Sequence, residues 1–272
     1  MSSVAEAVRD GVLPGRVWLY ANYHCNLACT YCLTESFPKA ARRELGPRRM
    51  LALAHQAAAL GFTALGVTGG EPFLLPYLPE LLVRLAAILP LVCLSNGTVF
   101  TGDRLERLRP LAGLPAAIQV SLDRPEPDAM RGPENFRKVV DAIPRLVERG
   151  VRVRIATTVT AIGDRKRERL CRLHRQLGVP DADHVIRPIV RRGRAVDHGL
   201  GVEAGPADLP AELTITTDGA FWSPFGPTVH GGRLDTDLLV TRTTTPLQVP
   251  AATLLRLVKG RPPGADSQLN IR

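Results

Sequence analysis

The chain has 272 residues, 45% of them hydrophobic, which suits one large core with at most a small appendage. Its net charge of +9 comes from scattered basic residues without an aromatic-interleaved basic stripe, which argues against nucleic-acid binding. No apolar run approaches about 18 residues, and no basic segment followed by an apolar one opens the chain, so neither a membrane span nor a signal peptide is expected.

Apolar, strand-like runs alternate with amphipathic helical runs along the chain. Glycine ends most of the helical runs, and turn residues follow most of the strands. The predicted elements, in chain order, are a strand at 17–21, a helix at 48–60, a strand at 64–68, a helix at 78–89, a strand at 91–95, a short helix capped by Asp103 and ending at 109, a strand at 117–122, a helix at 135–149, a strand at 151–160, a helix at 165–177, a strand at 184–190 and a helix at 250–259.

Six strand–helix repeats in series predict an α/β fold, with a parallel sheet that right-handed crossovers curl toward a barrel. Six units are too few to close an eight-fold barrel. Farther on, two short apolar runs flank Asp218-Gly219, which predicts a β-hairpin. We expect an N-terminal extension at 1–15, a barrel-like part at 16–195 and a C-terminal segment of hairpin and helix at 196–272.

The most informative motif is a cysteine loop directly after the first predicted strand. Cys25, Cys29 and Cys32 have CxxxCxxC spacing, and three such thiolates can hold three irons of a [4Fe-4S] cube while the fourth iron stays open to a ligand. A zinc site that includes His24 is an alternative, although adjacent residues rarely face one metal and structural zinc sites add a distant second half. Three unrelated thiols are the other alternative, disfavoured because exposed thiols are reactive. This cysteine usage indicates a reducing compartment, so a cytoplasmic location is expected.

Unusual turns follow the second and third strands, at the carboxyl-terminal edge where parallel α/β barrels place their chemistry. Gly69-Gly70 lets a backbone approach a ligand closely, and Glu71 can accept a hydrogen bond from an ammonium group. Asn96 lies in a Ser-Asn-Gly turn after the third strand, where a plain turn-forming Asn-Gly pair is the alternative.

The pattern CxxxCx-aromatic-C, with Tyr31 before the third cysteine, resembles the signature loop of the radical S-adenosylmethionine (SAM) enzymes, and Gly69-Gly70-Glu71-Pro72 resembles their GGEP motif. In that family the open iron chelates the amino and carboxylate groups of SAM, and one electron cleaves SAM to a 5′-deoxyadenosyl radical. The resemblance implies a partial (β/α)6 TIM-like barrel, a single [4Fe-4S] cluster and an external electron donor of the flavodoxin or ferredoxin type.

Later motifs resemble the SPASM-type, peptide-modifying branch of that family. Ser121-Leu122-Asp123 and Arg131 match a signature in which the serine contacts SAM and the arginine pairs with its carboxylate. One of Thr157, Thr158 and Thr160 is expected near the adenine, and the run from Arg187 to Ala195 resembles a stretch after strand six of that branch. The cofactor-binding residues implied are Tyr31, Gly69, Gly70, Glu71, Asn96, Ser121, Asp123, Arg131 and Thr158.

The C-terminal segment resembles the start of a SPASM domain but has no cysteine, since none follows Cys171. We interpret it as a cluster-less cap over the barrel mouth, with Trp222 and Phe225 as candidate lining residues. The expected substrate is a peptide or natural-product precursor, and a peptide would need a separate recognition protein.

The main alternative is a radical SAM dehydrogenase, epimerase or decarboxylase of a small sugar or amino acid. A non-enzymatic iron–sulfur protein is a remote alternative, because an electron carrier needs no SAM cradle. The basic charge has two explanations: arginine-rich composition from a GC-rich genome, or an acidic partner such as a phosphorylated substrate or acidic peptide.

Overall fold

The computed structural model describes residues 3–123, 128–159 and 164–260 and confirms the α/β fold. The strands are β1 (Arg16–Tyr20), β2 (Ala64–Thr68), β3 (Leu91–Ser95), β4 (Ala116–Ser121), β5 (Arg152–Val159), β6 (His184–Pro188), β7 (Thr214–Ile215), β8 (Ala220–Phe221), β9 (Val229–His230), β10 (Arg233–Leu234) and β11 (Leu239–Thr241). The α-helices are α1 (Val4–Arg9), α2 (Pro47–Ala59), α3 (Leu78–Ala86), α4 (Gly102–Glu106), α5 (Asp128–Arg131), α6 (Asn135–Glu148), α7 (Asp164–Gln176), α8 (Arg194–Asp197) and α9 (Gln248–Lys259).

Strands β1 to β6 pair in parallel in chain order, and helices occupy the connections between them. The strands are rich in buried apolar residues because helices cover a parallel sheet. In one row across the sheet, Val17 lies beside Leu65, and Leu65 lies beside Leu91. The carboxyl ends of all six strands therefore meet at one edge, where the predicted functional turns begin.

The helices follow the predicted apolar stripes with one local difference. Helix α2 buries Met50, Leu53, Ala54 and Ala57 on one face. Helix α4 begins at Gly102, so Asp103 lies in its first turn and is not its cap as predicted. A carboxylate in that position still suits the positive end of the helix. None of the described helices has the length and apolar composition needed to cross a membrane.

The C-terminal segment extends the main sheet. The predicted hairpin forms as β7 and β8, and β7 pairs in parallel with β1, with Thr214 opposite Trp18. The order across the sheet is β11-β8-β7-β1-β2-β3-β4-β5-β6. The buried carboxylate of Glu212, just before β7, accepts a hydrogen bond from the Trp18 indole N–H. The sheet thus continues across the predicted boundary at residue 195, and without β7 strand β1 would be an exposed edge.

A pair of histidines lies between β5, β6 and α7. His174 is fully buried, its Nε2 is 3.3 Å from Thr157 Oγ1, and its ring packs edge to face on His184 at 4.5 Å. Burial, together with the neighbouring His184, lowers the pKa of His174 to about 4. The folded protein therefore holds His174 neutral at pH values where the unfolded chain would protonate it.

We predict that His174 makes the protein less stable as the pH falls from about 6.5 to about 4. In this window the unfolded chain binds a proton that the folded chain does not, which lowers the free energy of unfolding by up to roughly 3 kcal/mol at 1.36 kcal/mol per pKa unit. Thermal unfolding across this range should show a smaller acid-side loss in His174→Gln than in the wild type. The control is His230→Gln, at the exposed His230–Asp197 pair. This variant should lose stability on the acid side as the wild type does, because it retains His174. Equal pH profiles for wild type and His174→Gln would contradict the prediction.

Candidate active site

A cavity of about 200 Å³ opens at the carboxyl ends of the parallel strands. Strand-end residues and the cysteine loop form its wall, and Leu27, Ile189 and Phe225 give it an apolar part. All of the predicted site residues except Glu71 and Asp123 line it, namely Cys25, Cys29, Tyr31, Cys32, Gly69, Gly70, Asn96, Ser121, Arg131 and Thr158.

The cysteine loop leaves β1 and folds back over the sheet. Its ends are fixed by backbone bonds from Cys25 N–H to the Phe37 carbonyl (3.4 Å) and from Thr30 N–H to the Met130 carbonyl (2.9 Å). Cys25 is buried, whereas Cys29 and Cys32 are partly exposed. In the metal-free chain, burial raises the pKa of Cys25 to about 12 and also raises the pKa of Cys29.

The donor set fits an iron–sulfur cluster better than a single metal ion. All three thiols face one cavity, yet within the described ranges no three His, Cys, Asp or Glu side chains are grouped closely enough to hold one ion. Ligands of a cube bind separate irons, so their sulfurs need not converge on one point. Cys25, Cys29 and Cys32 would hold the cluster, and the polar strand ends beside them would hold SAM.

The glycine turn after β2 packs against the backbone that precedes Cys25. Gly70 N–H donates to the Asn22 carbonyl at 2.8 Å. A Cβ atom on Gly69 would lie 2.3 Å from Asn22 Oδ1, and one on Gly70 would lie 2.2 Å from the His24 carbonyl oxygen. The glycines therefore permit a close approach to the cysteine loop itself, in addition to lining the cavity.

Glu71 lies behind the cavity wall and is fully buried. Its carboxylate accepts three hydrogen bonds, from Phe73 N–H (3.0 Å), Ser95 Oγ (3.0 Å) and Asn96 N–H (2.7 Å). Burial raises the pKa of Glu71 to about 7, while these donors oppose the rise. In this arrangement the carboxylate supports the turn after β3, and contact with the SAM ammonium stays a prediction.

The turn after β3 connects Glu71 to the cysteine loop through Asn96. The Asn96 side-chain amide donates to Cys25 Sγ at 3.6 Å and to Asn26 Oδ1 at 2.9 Å. Its oxygen accepts from Thr98 Oγ1 at 2.7 Å. Asn96 is therefore more than a turn former, because it holds a predicted cluster ligand in place.

Asp123, at the end of β4, joins three parts of the site. One carboxylate oxygen accepts from the Tyr31 hydroxyl and from Arg131 Nε, and the other accepts from Thr158 N–H at 2.8 Å. Arg131 is also buried and packs over the Tyr31 ring at 5.2 Å. The carboxylate fixes the orientation of the Arg131 guanidinium beside the cavity.

The three threonine candidates of β5 separate in the structure. Thr158 lines the cavity, whereas Thr157 is fully buried and donates to the Leu122 carbonyl at 2.6 Å. Thr160 lies outside the described residues. The alternation of side chains along a strand explains why adjacent threonines face opposite sides.

Gly193 and Arg194, for which no role was predicted, also hold the cysteine loop. The Arg194 guanidinium donates to the Cys29 carbonyl at 2.6 Å and to the Ser36 carbonyl. Gly193 has a φ of +57°, and a Cβ atom there would lie 2.4 Å from the Cys32 carbonyl oxygen. Their stretch of sequence was noticed only because it resembles the SPASM branch. The loop carbonyls that these two residues contact are distant in sequence and could not be inferred from it.

The C-terminal segment also contacts the loop and the cavity. Val229 N–H donates to the Leu33 carbonyl at 2.9 Å, and the Glu35 carboxylate accepts from the N–H groups of Gly231 and Gly232. Phe225 lines the cavity as expected. Trp222 is buried away from the cavity lining, and its indole N–H donates to the Leu209 carbonyl at 3.4 Å.

We expect Arg194→Met to lower cluster loading without unfolding the chain. The substitution removes two charge-assisted bonds to loop carbonyls, each contributing roughly 1.5–3 kcal/mol to loop order. Iron bound after anaerobic reconstitution should fall by about half or more, while the circular-dichroism spectrum is retained. Arg191→Met is the matched control, because Arg191 pairs with Glu203 on the surface. Full iron loading of Arg194→Met would show that the loop does not need Arg194.

A second prediction separates the two possible roles of Glu71. If the carboxylate supports the turn, Glu71→Gln should lower the melting temperature of SAM-free protein by roughly 3–10 °C and weaken SAM binding by about 10–100-fold. Calorimetry and thermal melting measure both, with the exposed Glu80→Gln as control. Weaker binding with unchanged melting would identify Glu71 as a direct SAM ligand. No change in either would exclude both roles.

Comparison with known proteins agrees with this geometry. The family model "Radical SAM superfamily" matches residues 20–176, more than half of the chain. The chain is 34% identical over 142 residues to an AdoMet-dependent heme synthase of Oleidesulfovibrio alaskensis, covering 50% of this chain and 36% of that protein. It is 29% identical over 154 residues to the sporulation killing factor maturation protein SkfB of Bacillus subtilis, covering 55% and 37%.

The chain thus spans little more than a third of the length of these curated relatives. Among solved structures, native anSMEcpe with bound AdoMet and Cp18Cys peptide superposes with a TM-score of 0.60 at 12% identity, covering 91% of this chain and 84% of that one. At this identity the match supports the fold alone. On the family match and the fold, the chain belongs to the radical SAM superfamily of enzymes.

Proposed function

We propose that this enzyme binds one [4Fe-4S] cluster and SAM in the strand-end cavity and abstracts a hydrogen atom from a peptide substrate. The observation that carries the proposal is the convergence of three thiols with the turns after β2, β3 and β4 on one cavity. In this family the cluster and SAM together supply a 5′-deoxyadenosyl radical. An external donor of the flavodoxin or ferredoxin type would supply the electron.

The residues of the cavity have distinct tasks in this proposal. Asp123 orients Arg131, whose planar guanidinium suits the SAM carboxylate. Ser121 would contact SAM, and Thr158 lies where it can face the adenine. Leu27 and Ile189 give the cavity an apolar lining, which helps exclude water from a reactive radical.

The cysteine inventory supports a single cluster. The chain has five cysteines, and besides the loop only Cys93 and Cys171 remain. Cys93 is fully buried on β3 and Cys171 is partly buried on α7, and we interpret both as packing residues. With no cysteine after residue 171, the C-terminal segment has no thiolate ligand for a second cluster.

The peptide substrate is supported by the relatives with peptide-related names. SkfB is named a maturation protein, and the anSMEcpe structure contains a bound peptide. A small-molecule substrate is the alternative, favoured by the match to the AdoMet-dependent heme synthase. A separate protein that recognises the substrate is proposed only if the substrate is a peptide.

The cluster and its reaction can be tested together. Anaerobic reconstitution should give about four irons per chain, the content of one cube. With dithionite as reductant, the reconstituted protein should convert SAM to 5′-deoxyadenosine, measured by liquid chromatography. Changing Cys25, Cys29 and Cys32 together to Ala should abolish both iron binding and 5′-deoxyadenosine formation.

The controls identify which part of the proposal fails. Cys171→Ala should retain iron and cleavage, because Cys171 lies on an outer helix. About eight irons per chain, or iron retained by the triple variant, would show a second cluster. Substrate class is assigned by deuterium transfer into 5′-deoxyadenosine from deuterated peptides compared with deuterated small metabolites.

A further inference from the structure

Arg187 introduces a second positive charge into the cavity wall. It lies near the end of β6, lines the cavity and is partly buried. Its guanidinium carbon is 5.4 Å from the centre of the Phe225 ring, which also lines the cavity. The aromatic contact holds the guanidinium near the ring but uses none of its N–H donors, which stay available for a ligand.

Arg187 has no anionic partner within the described part of the chain. The Asp123 carboxylate is close enough to raise the pKa of Arg187, but its two oxygens already accept hydrogen bonds from Tyr31, Arg131 and Thr158. Burial lowers the pKa of Arg187, and nearby Arg131 adds to the effect. An arginine withdrawn from water without a carboxylate is unfavourable, so the site favours a bound anion.

In the proposed function, the SAM carboxylate does not supply this anion. SAM carries one carboxylate, and Arg131, held by Asp123, is placed to pair with it. The positive charge of Arg187 is then available to pair with an anionic group of the substrate. This step rests on the proposed function, because it takes SAM as the occupant beside Arg131.

We propose that Arg187 binds a carboxylate of the substrate, so that the enzyme selects a peptide with an acidic side chain near the residue it modifies. The Arg187 guanidinium, packed beside Phe225 at the cavity wall, is a planar group whose two parallel donors match a carboxylate. Because Phe225 belongs to the C-terminal segment, that segment takes part in substrate selection. An acidic peptide also agrees with the positive net charge of the chain.

The test uses reconstituted, SAM-loaded enzyme and three small probes in anaerobic calorimetry. N-acetyl-glutamate α-amide presents a side-chain carboxylate, N-acetyl-glutamine α-amide is its neutral isostere, and N-acetyl-alanine presents a main-chain carboxylate. Wild type should bind the glutamate probe at least about 10-fold more tightly than the glutamine probe, because a site built for a charge rejects its neutral isostere.

The variants separate Arg187 from its neighbours. Arg187→Met keeps an apolar contact with Phe225 but should reduce the glutamate-to-glutamine preference to about one, with SAM affinity changed less than about 2-fold. Arg187→Lys keeps the charge without the fork and should give an intermediate preference. Arg191→Met, four residues on and paired with Glu203, should behave as wild type.

Several results would overturn the proposal. Equal or undetectable binding of both amide probes to wild type, or a preference that survives Arg187→Met, would show that Arg187 does not bind a substrate carboxylate. A loss of SAM affinity in Arg187→Met as large as in Arg131→Met would assign Arg187 to SAM. Tighter binding of N-acetyl-alanine than of the glutamate probe would indicate a main-chain carboxylate in place of an acidic side chain. Failure of the proposed function is distinct, since wild type would then neither bind nor cleave SAM.

Discussion

The conformation of the cysteine loop is the constraint on which the rest of the site depends. The chain between β1 and α2 contains no strand or helix, so its shape is set by contacts with distant parts of the sequence. Four strand ends supply contacts, namely the glycine turn after β2, Asn96 after β3, Met130 and Asp123 after β4, and Arg194 after β6, and the C-terminal segment adds its own. The loop is therefore ordered only when the parallel sheet has brought these ends together.

Two buried carboxylates hold the strand ends and the cysteine loop in this one arrangement. A buried carboxylate is unfavourable unless donors surround it, and Glu71 and Asp123 each accept three hydrogen bonds. Glu71 joins the ends of β2 and β3, while Asp123 joins β4, β5 and the cysteine loop. Both acids therefore rigidify the cavity from behind its wall, and neither lines the cavity. Direct contact of either carboxylate with a cofactor stays a prediction.

Structural features that depend on residues close together in the chain could be predicted from the sequence. Strands β2 and β3 occur at the predicted residues because their apolar runs end at glycine and asparagine turns. The cysteine and glycine motifs indicated the cavity because they follow strand ends. The role of Glu71 could not be predicted, since two of its three donors, Ser95 and Asn96, lie at the end of β3 and depend on the register between strands. The same applies to Gly193 and Arg194, whose partners precede them by more than 150 residues.

The site combines residues that the superfamily model matches with residues that lie beyond the match in the chain. The superfamily match covers residues 20–176, which include the cysteine loop, the glycine turn, Asn96, Asp123 and Arg131. Arg187, Arg194 and Phe225 lie beyond it, on β6, α8 and the C-terminal segment. The C-terminal segment is held to the fold by β7, which covers the β1 edge and places Phe225 against Arg187. The matched part thus contains the residues proposed to hold the cluster and SAM. Part of the shape and charge of the cavity comes from residues outside the match, namely Arg187, Ile189 and Phe225, so the substrate preference proposed for Arg187 does not follow from the family match.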